Sequence, residues 1–304
     1  MPIYMGYASN TYTNIGEANN RGIEMNLEWR DKTESGFEYN VGVNMSTIRN
    51  RMTKLNGGTP ISDGPFRNGS MYLTYTNEGM PIGAFWGYKT DGLIQTQEQL
   101  NAVKRADFQP NAELGDVLFV DTNGDGKLDS SDRCMIGNPI PDIIYGINMG
   151  MAWKGFDLNL QFGGTIGNQI FNAMRYYTYF PNDITNKDRA LMNYWTPNNT
   201  NTDIPRLTAT DVNDNDRFSD MYVENGTYFR LRNAQLGYTL PASLTQRIKL
   251  QKVRFYVSGQ NLFTISSYSG MDPEVGQSSS LSRGIDYGIY PQNISFTGGI
   301  NVTF

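Results

Sequence analysis

Histidine is absent from this 304-residue chain. Its absence removes the Ser-His-Asp triad, the Cys-His pair and every His-ligated metal site. Cysteine occurs once, at Cys134, so there is no internal disulfide and no thiolate zinc cluster. Cys134 itself reads as a small apolar loop residue. Nowhere do ~18 apolar residues run together, which excludes a transmembrane helix. The first fourteen residues, MPIYMGYASNTYTN, lack a basic start and an apolar core and are not a signal peptide. Charged residues make up only 18% and hydrophobic ones 38%, both below the ~25% and ~45–50% of ordinary globular chains. A net charge of −5 and a pI near 4.9 argue against a nucleic-acid partner. Disorder is excluded as well, because aromatics reach 12% and the net charge is small.

What is present is alternation with a period of two. In 21–31, Ile23, Met25, Leu27 and Trp29 oppose Glu24, Asn26 and Glu28. In 37–46, Phe37, Tyr39, Val41, Val43 and Met45 oppose Glu38, Asn40, Asn44 and Ser46. Residues 143–153 set Tyr145, Ile147, Met149, Met151 and Trp153 against Gly146, Asn148 and Gly150. Beyond the Lys154–Gly155 turn, Phe156, Leu158, Leu160 and Phe162 alternate with Asp157, Asn159 and Gln161. The chain ends with Ile294, Phe296, Ile300, Val302 and Phe304 against Ser295, Thr297, Asn301 and Thr303. A sandwich that is solvated on one face alternates too. These strands, however, are ~10 residues long, the length that crosses a bilayer at a tilt, against ~5–6 for ordinary strands. The mean hydropathy of −0.49 does not oppose a membrane location, because barrel strands hide their apolar face in alternation.

The pattern predicts nine strands, at 21–31, 37–49, 70–77, 83–94, 142–154, 155–165, 226–240, 250–264 and 292–304. Connections at 31–36, 78–83, 154–155 and 240–250 are short; those at 50–70, 95–141, 165–225 and 265–291 are long. Short periplasmic turns and long external loops mark outer-membrane barrels, as do aromatics near strand ends such as Trp29, Tyr145, Trp153 and Phe156. Tyr145, Ile147, Met149, Phe156, Leu158, Leu160, Ile300 and Val302 are expected to face lipid. Asn148, Asp157, Asn159, Gln161 and Asn301 are expected to face the lumen. Nine strands cannot close with an even number, so the chain reads as a piece of a larger barrel.

One local motif suggests an ion. In DTNGDGKLDSSD (121–132), Asp121, Asn123, Asp125, Lys127 through its carbonyl, Asp129 and Asp132 fall at the ligand positions of a twelve-residue calcium loop, with Gly126 at its sharp turn. Asp132 stands where a longer Glu is usual, and no amphipathic helices flank the loop. The competing reading is an Asp/Gly-rich turn without a metal. Glu24, Glu28 and Glu38 could be read as glycosidase carboxylates, but acidic residues on a polar lumen face explain them better. The run MRYYTYF (174–180) reads as packing within a folded loop, with a sugar-stacking or partner surface as the alternative.

Taken in order, GMPIGAFWGYKTDGLIQ (79–95), ELGDVLFVDTNGDGKLDSSDRCMIGNPIPDIIYGINM (113–149), KGFDLNLQFGGTIGNQIFN (154–172), VENGTYFRLRNAQLGYTLP (223–241), RFYVSGQNLFT (254–264) with YSGMDPE (268–274), and NIGEANNRGIEMNLEWR (14–30) resemble SusC/RagA-type TonB-dependent outer-membrane transporters. Leu114 departs from the pattern, which usually has Pro there. The resemblance implies an all-β fold: about nine C-terminal strands of a 22-stranded antiparallel transmembrane barrel with long extracellular loops, spanning 1–304 and lacking the plug and N-terminal domain. Met1 would then lie inside the barrel region, as in a truncated gene model. It further implies a non-enzymatic importer in the cell outer membrane. Its partners would be a SusD-like surface lipoprotein, the TonB complex, outer-membrane lipid, and an oligosaccharide or peptide substrate; nucleic acid is not among them. Possible Ca2+ in 121–132 is the one expected cofactor. Phe304 would belong to the signal read during barrel assembly. The alternatives are a secreted calcium-binding β-sandwich, acting as an adhesin or carbohydrate-binding module, and a β-rich glycosidase.

Overall fold

The computed structural model describes residues 16–55, 57–180, 186–276 and 279–304. The stretch 1–14, read above as no signal peptide, lies outside them. The chain opens with β1 (Gly16–Arg21), β2 (Glu24–Lys32), β3 (Glu38–Thr47) and β4 (Arg49–Leu55). An excursion follows that carries β5 (Ile61–Phe66), β6 (Met71–Thr76), β7 (Ala84–Gly87), β8 (Thr90–Leu93), helix α1 (Gln97–Arg105), β9 (Val117–Phe119) and β10 (Cys134–Gly137). Next come β11 (Ile143–Trp153), β12 (Phe156–Ile166), β13 (Gln169–Asn172), α2 (Ala173–Tyr179), β14 (Val223–Asn225) and β15 (Tyr228–Thr239). The chain closes with α3 (Ala242–Thr245), β16 (Lys252–Ser266), β17 (Ile285–Asp286) and β18 (Ser295–Thr303).

Seven strands form one antiparallel wall in the order β18-β16-β15-β12-β11-β3-β2. Its register follows the alternation. Met149 stands opposite both Leu160 and Val41, and Leu160 opposite Ala234, which stands opposite Gly259. One residue along, Asn148 stands opposite Gln161 and Gly42. One face is therefore apolar across the wall and the other polar, and every lipid- and lumen-facing residue named above falls on its expected face. The apolar face carries no second layer. Leu27, Phe156, Leu236, Val257, Ile265 and Ile300 are all exposed on it. A sandwich would need a covering sheet there, and none exists among the described residues.

Aromatic rows border this face. Trp153, Phe156, Tyr238 and Phe255 stand side by side at one rim, with Phe156 and Tyr238 rings 4.6 Å apart. Tyr145, Phe162, Phe229 and Phe263 border the other, with the Phe162 and Phe229 rings stacked at 5.2 Å. From Trp153 to Tyr145 is roughly 26 Å of strand at ~3.3 Å per residue, or about 20 Å of height at a tilt of ~40°, against an apolar band ~25 Å tall in outer-membrane barrels.

Two expected wall strands are corrected. β3 pairs directly with β11 (Thr47 opposite Ile143), so residues 48–142 leave and return at the same rim. Segments 70–77 and 83–94 lie inside that excursion, where β6 and β7 belong to a separate four-stranded sheet with β5 and β10. They are four to six residues long, short of the ~9–11 a spanning strand needs. They are also covered on both faces: Leu73, Thr74, Ala84 and Phe85 are all buried. EGMPIG (78–83) is thus a turn within the excursion, and among the described residues the wall has seven strands rather than nine. Short connections (33–37, 154–155, 240–251) all fall at one rim, and long ones (48–142, 167–227, 267–294) all at the other. The Lys154–Gly155 turn takes positive φ at both residues (47° and 88°), the two-residue hairpin whose twist matches the strands. Cys134 lies in β10, not in a loop, and packs against the outer core.

A charge at the centre of the apolar face tests the assignment. Leu160→Arg in the full-length protein, refolded into phospholipid vesicles, is expected to cost about 2–4 kcal/mol. Gln161→Arg, one residue away on the polar face, is expected to cost much less. Equal costs in denaturant titrations would invert or abolish the two faces.

Candidate functional site

The polar face is built from small residues beside amides. A Cβ at Gly146 would fall 2.7 Å from Asn44 Oδ1, so glycine is needed for that approach; Asn40 crowds Gly150 in the same way. The result is an open hollow of about 430 Å3 whose lining includes Asn44, Asn148, Gln161, Gly163, Arg232 and Glu274. Amide groups there offer both donors and acceptors to a polar solute. Near the short-turn rim, Arg254 Nε and Nη2 fork onto Asp157 Oδ2 and Oδ1 at 2.8 and 2.5 Å, and Nη2 also donates to Gln235 Oε1 at 3.1 Å. Two of the three acidic residues considered as catalytic are engaged by cations. Glu28 pairs with Arg30, and Glu38 with Lys32 at 2.8 Å.

Three excursions merge above the other rim. One core joins Phe66, Leu73 and Phe85 to Phe171, Tyr176, Phe218 and Tyr222, and to Ile285. A second gathers Leu93, Phe108, Val117 and Phe119 around Trp195. Tyr176, from the aromatic run 174–180, is buried edge-on to Phe66 and Tyr222, and burial pushes its phenol far above the ordinary range. Within the run Tyr176 packs into the core, whereas Met174 is exposed. Asp116, fully buried, accepts Arg206 Nε at 2.7 Å, Asn215 Nδ2 at 3.1 Å and the Glu113 amide at 2.8 Å. This network joins the first excursion to the second.

The last excursion is pinned to the wall itself. Arg230 on β15, only 2% exposed, donates to Thr264 Oγ1 at 2.8 Å, Glu274 Oε2 at 2.8 Å and Asp272 Oδ1 at 2.6 Å. Arg232 reaches Glu274 Oε1 at 3.1 Å. Burial pushes the Asp272 carboxyl up, but amide hydrogen bonds from Gln292 and Glu274, together with Arg230, outweigh it and hold the group below the usual carboxylate range. Nothing in the spacing of RLR (230–232) and DPE (272–274) shows that they meet; they stand in the sequence only as part of the family pattern.

In the 121–132 loop, the side-chain oxygens are occupied by the backbone. Asp121 accepts the Gly124 and Gly126 amides at 2.7 and 2.9 Å, and these bonds hold its carboxyl low. Asn123 accepts the Asp125 amide, Asp125 that of Lys127, and Asp129 that of Ser131. Asp132, fully buried, accepts the Thr122 amide at 3.0 Å and that of Asp129 at 2.9 Å. The six expected ligand residues form a self-closed turn. Among the described residues, no three His, Cys, Asp or Glu side chains are arranged to hold a metal. Burial pushes the Cys134 thiol up, the opposite of an activated thiolate.

Comparison with known proteins follows the same architecture. No family model matches the chain. It is 36% identical to "TonB-dependent receptor P3" of Formosa agariphila, over 100% of this chain and 30% of that protein. It is 26% identical to "TonB-dependent receptor SusC" of Bacteroides thetaiotaomicron, over 100% of this chain and 28% of the relative. Among solved structures, that of the RagAB peptide transporter superposes with a TM-score of 0.75 at 24% identity, covering 100% of this chain and 31% of that one. The RagAB importer in its open-open state gives 0.74 at 25% identity. The chain therefore spans about 30% of the length of the curated relatives it matches.

Arg230→Ala would leave Asp272 buried without its cation, a loss of about 3–5 kcal/mol. In the full-length protein this is expected to expose 267–294 to limited proteolysis while the wall stays resistant. The depressed Asp272 carboxyl contributes stability that is present above the unfolded carboxylate value near ~4 and is lost as pH falls through its lower folded value. Protection of 267–294 should accordingly fade only in acid below that range. Cleavage that is independent of both the substitution and pH would refute the pin.

Proposed function

Because this chain belongs to the SusC/RagA family of TonB-dependent receptors, we propose that it forms the C-terminal part of the barrel of an outer-membrane importer, with the long-connection rim outside the cell. The observation that carries the proposal is the unbroken polar face beneath a folded outer body, on a wall whose opposite face is bare apolar surface. The cargo is an oligosaccharide or peptide. Amides and small residues along the hollow suit multiply hydrogen-bonded solutes more than apolar ones. Import is driven through the TonB complex, and a SusD-like lipoprotein docks on the outer body. The relatives are named as TonB-dependent receptors rather than as enzymes.

Uptake of labelled oligosaccharides and peptides by a strain lacking the receptor, complemented with the full-length gene, tests this reading. Gln161→Trp, which fills the hollow, is expected to cut uptake severalfold at unchanged surface level. Unchanged uptake would remove this wall from the transport path. A tagged receptor should also co-purify with a SusD-like lipoprotein, and failure to do so would sink the partnership.

Calcium in 121–132 is a separate proposal, supported by ligand spacing alone. Terbium luminescence of the full-length receptor compared with Asp125→Ala decides it. A signal lost in the variant supports an ion, and equal signals reject one.

A further inference from the structure

The first hairpin does not stop at the edge of the apolar face. Beyond β2 and β3 it continues as β1 and β4 in unchanged register, from Glu24 opposite Ser46 to Arg21 opposite Arg49. Constant register preserves side-chain parity. Arg21, Arg49 and Arg51 therefore fall on the side that lower down carries Met25, Leu27, Met45 and Val43. The Met25–Met45–Tyr145 row marks the outer aromatic border, and Arg49 lies four residues past it, roughly 13 Å of strand. At that height a bilayer presents headgroups rather than chains.

The charge arrangement is unusual. Arg21 and Arg49 are directly opposed, a cross-strand pairing that is destabilising between like charges. All three arginines are exposed. Arg21 Nε donates to Asn19 Oδ1 at 3.2 Å, and the guanidinium of Arg51 lies against the turn at Gly79. Among the described residues none of the three has a carboxylate partner. This contrasts with Arg206, Arg230 and Arg254, each of which is paired. The opposite side of the hairpin is covered: Met52 and Leu55 are buried, and the Met52 amide donates to Met80 O at 2.8 Å. The hairpin is thus held with its cationic side facing the membrane surface.

We propose that Arg21, Arg49 and Arg51 form a binding surface for the phosphate groups of an outer-leaflet lipid headgroup. The inference rests on the membrane orientation proposed above. Three guanidinium groups at one surface can take phosphate oxygens in forked hydrogen bonds. A bound anion would also relieve the Arg21–Arg49 repulsion. Each cation near an anionic lipid surface is worth about fivefold in affinity, so removing all three should weaken binding on the order of 100-fold.

The test uses the full-length receptor in phosphatidylcholine nanodiscs, with lipid A as the probe titrated by native mass spectrometry. Dephosphorylated lipid A and inorganic phosphate are the comparison ligands. Wild type should bind lipid A in preference to its dephosphorylated form. The variant Arg21→Gln/Arg49→Gln/Arg51→Gln should lose that preference, while Lys104→Gln/Arg105→Gln, which removes two charges from the exposed helix α1, keeps it. An unchanged preference in the triple variant, or none in wild type, overturns the proposal. Inorganic phosphate competing at equal concentration would mean a free-anion site and would overturn the lipid assignment. If the triple variant fails to insert, Arg49→Gln alone decides, with an expected fivefold loss. A wild-type receptor that does not enter nanodiscs would instead refute the membrane reading itself.

Discussion

A wall that meets hydrocarbon has no water to satisfy its peptide groups, so each N–H and C=O must find a partner in the next strand. That requirement sets the rest of this architecture. It demands an unbroken ladder, and an unbroken ladder fixes parity across every strand. A slip of one residue would move Leu160 and Met149 to the polar side and Gln161 and Asn148 to the apolar side. Among the described residues, the register shifts within the wall occur where the strands approach the long-connection rim. On β15 the register shifts beside Arg232, and there the additional residue turns its side chain toward Gly163 and Glu274. The ladder is interrupted where a charged side chain is placed on the polar face.

Period-two alternation made the wall legible, because each of its strands spends one face on lipid and the other on the lumen. The same signal misled at 70–77 and 83–94. Tyr72, Thr74 and Thr76 alternate with Leu73 and Tyr75 well enough to look like a wall strand, but the sheet they join is buried on both sides. Alternation reports a two-sided environment and does not say which two sides. Length was the discriminating quantity, and six residues is a loop-sheet length. The face assignment, by contrast, followed from the residues alone. The ion-pair network did not. Arg230 and Asp272 are 42 residues apart, and their meeting depends on how 267–294 folds back over the rim. The 121–132 motif matched a ligand template, and its Asx-type amide bonds, which organise the loop with or without an ion, could not be read from the spacing.

The outer body and the wall are stabilised by different means. The wall has a single layer and gains its stability from the ladder and from lipid. The outer body has true hydrophobic cores around Phe171 and Trp195 and buried polar networks at Asp116 and Arg230. Those networks are costly to leave half-made, which makes the outer body sensitive to single substitutions at positions remote from any solute.

The core around Phe171 draws Phe66 from the first excursion, Tyr222 from the second and Ile285 from the third. None of the three can bury its share until the hairpins beneath have brought the excursions to one rim. Loop closure over such separations has to be met before the contacts repay it. A hairpin out of register would shift one excursion against the other two and leave Phe66, Tyr222 or Ile285 without its partners in this core.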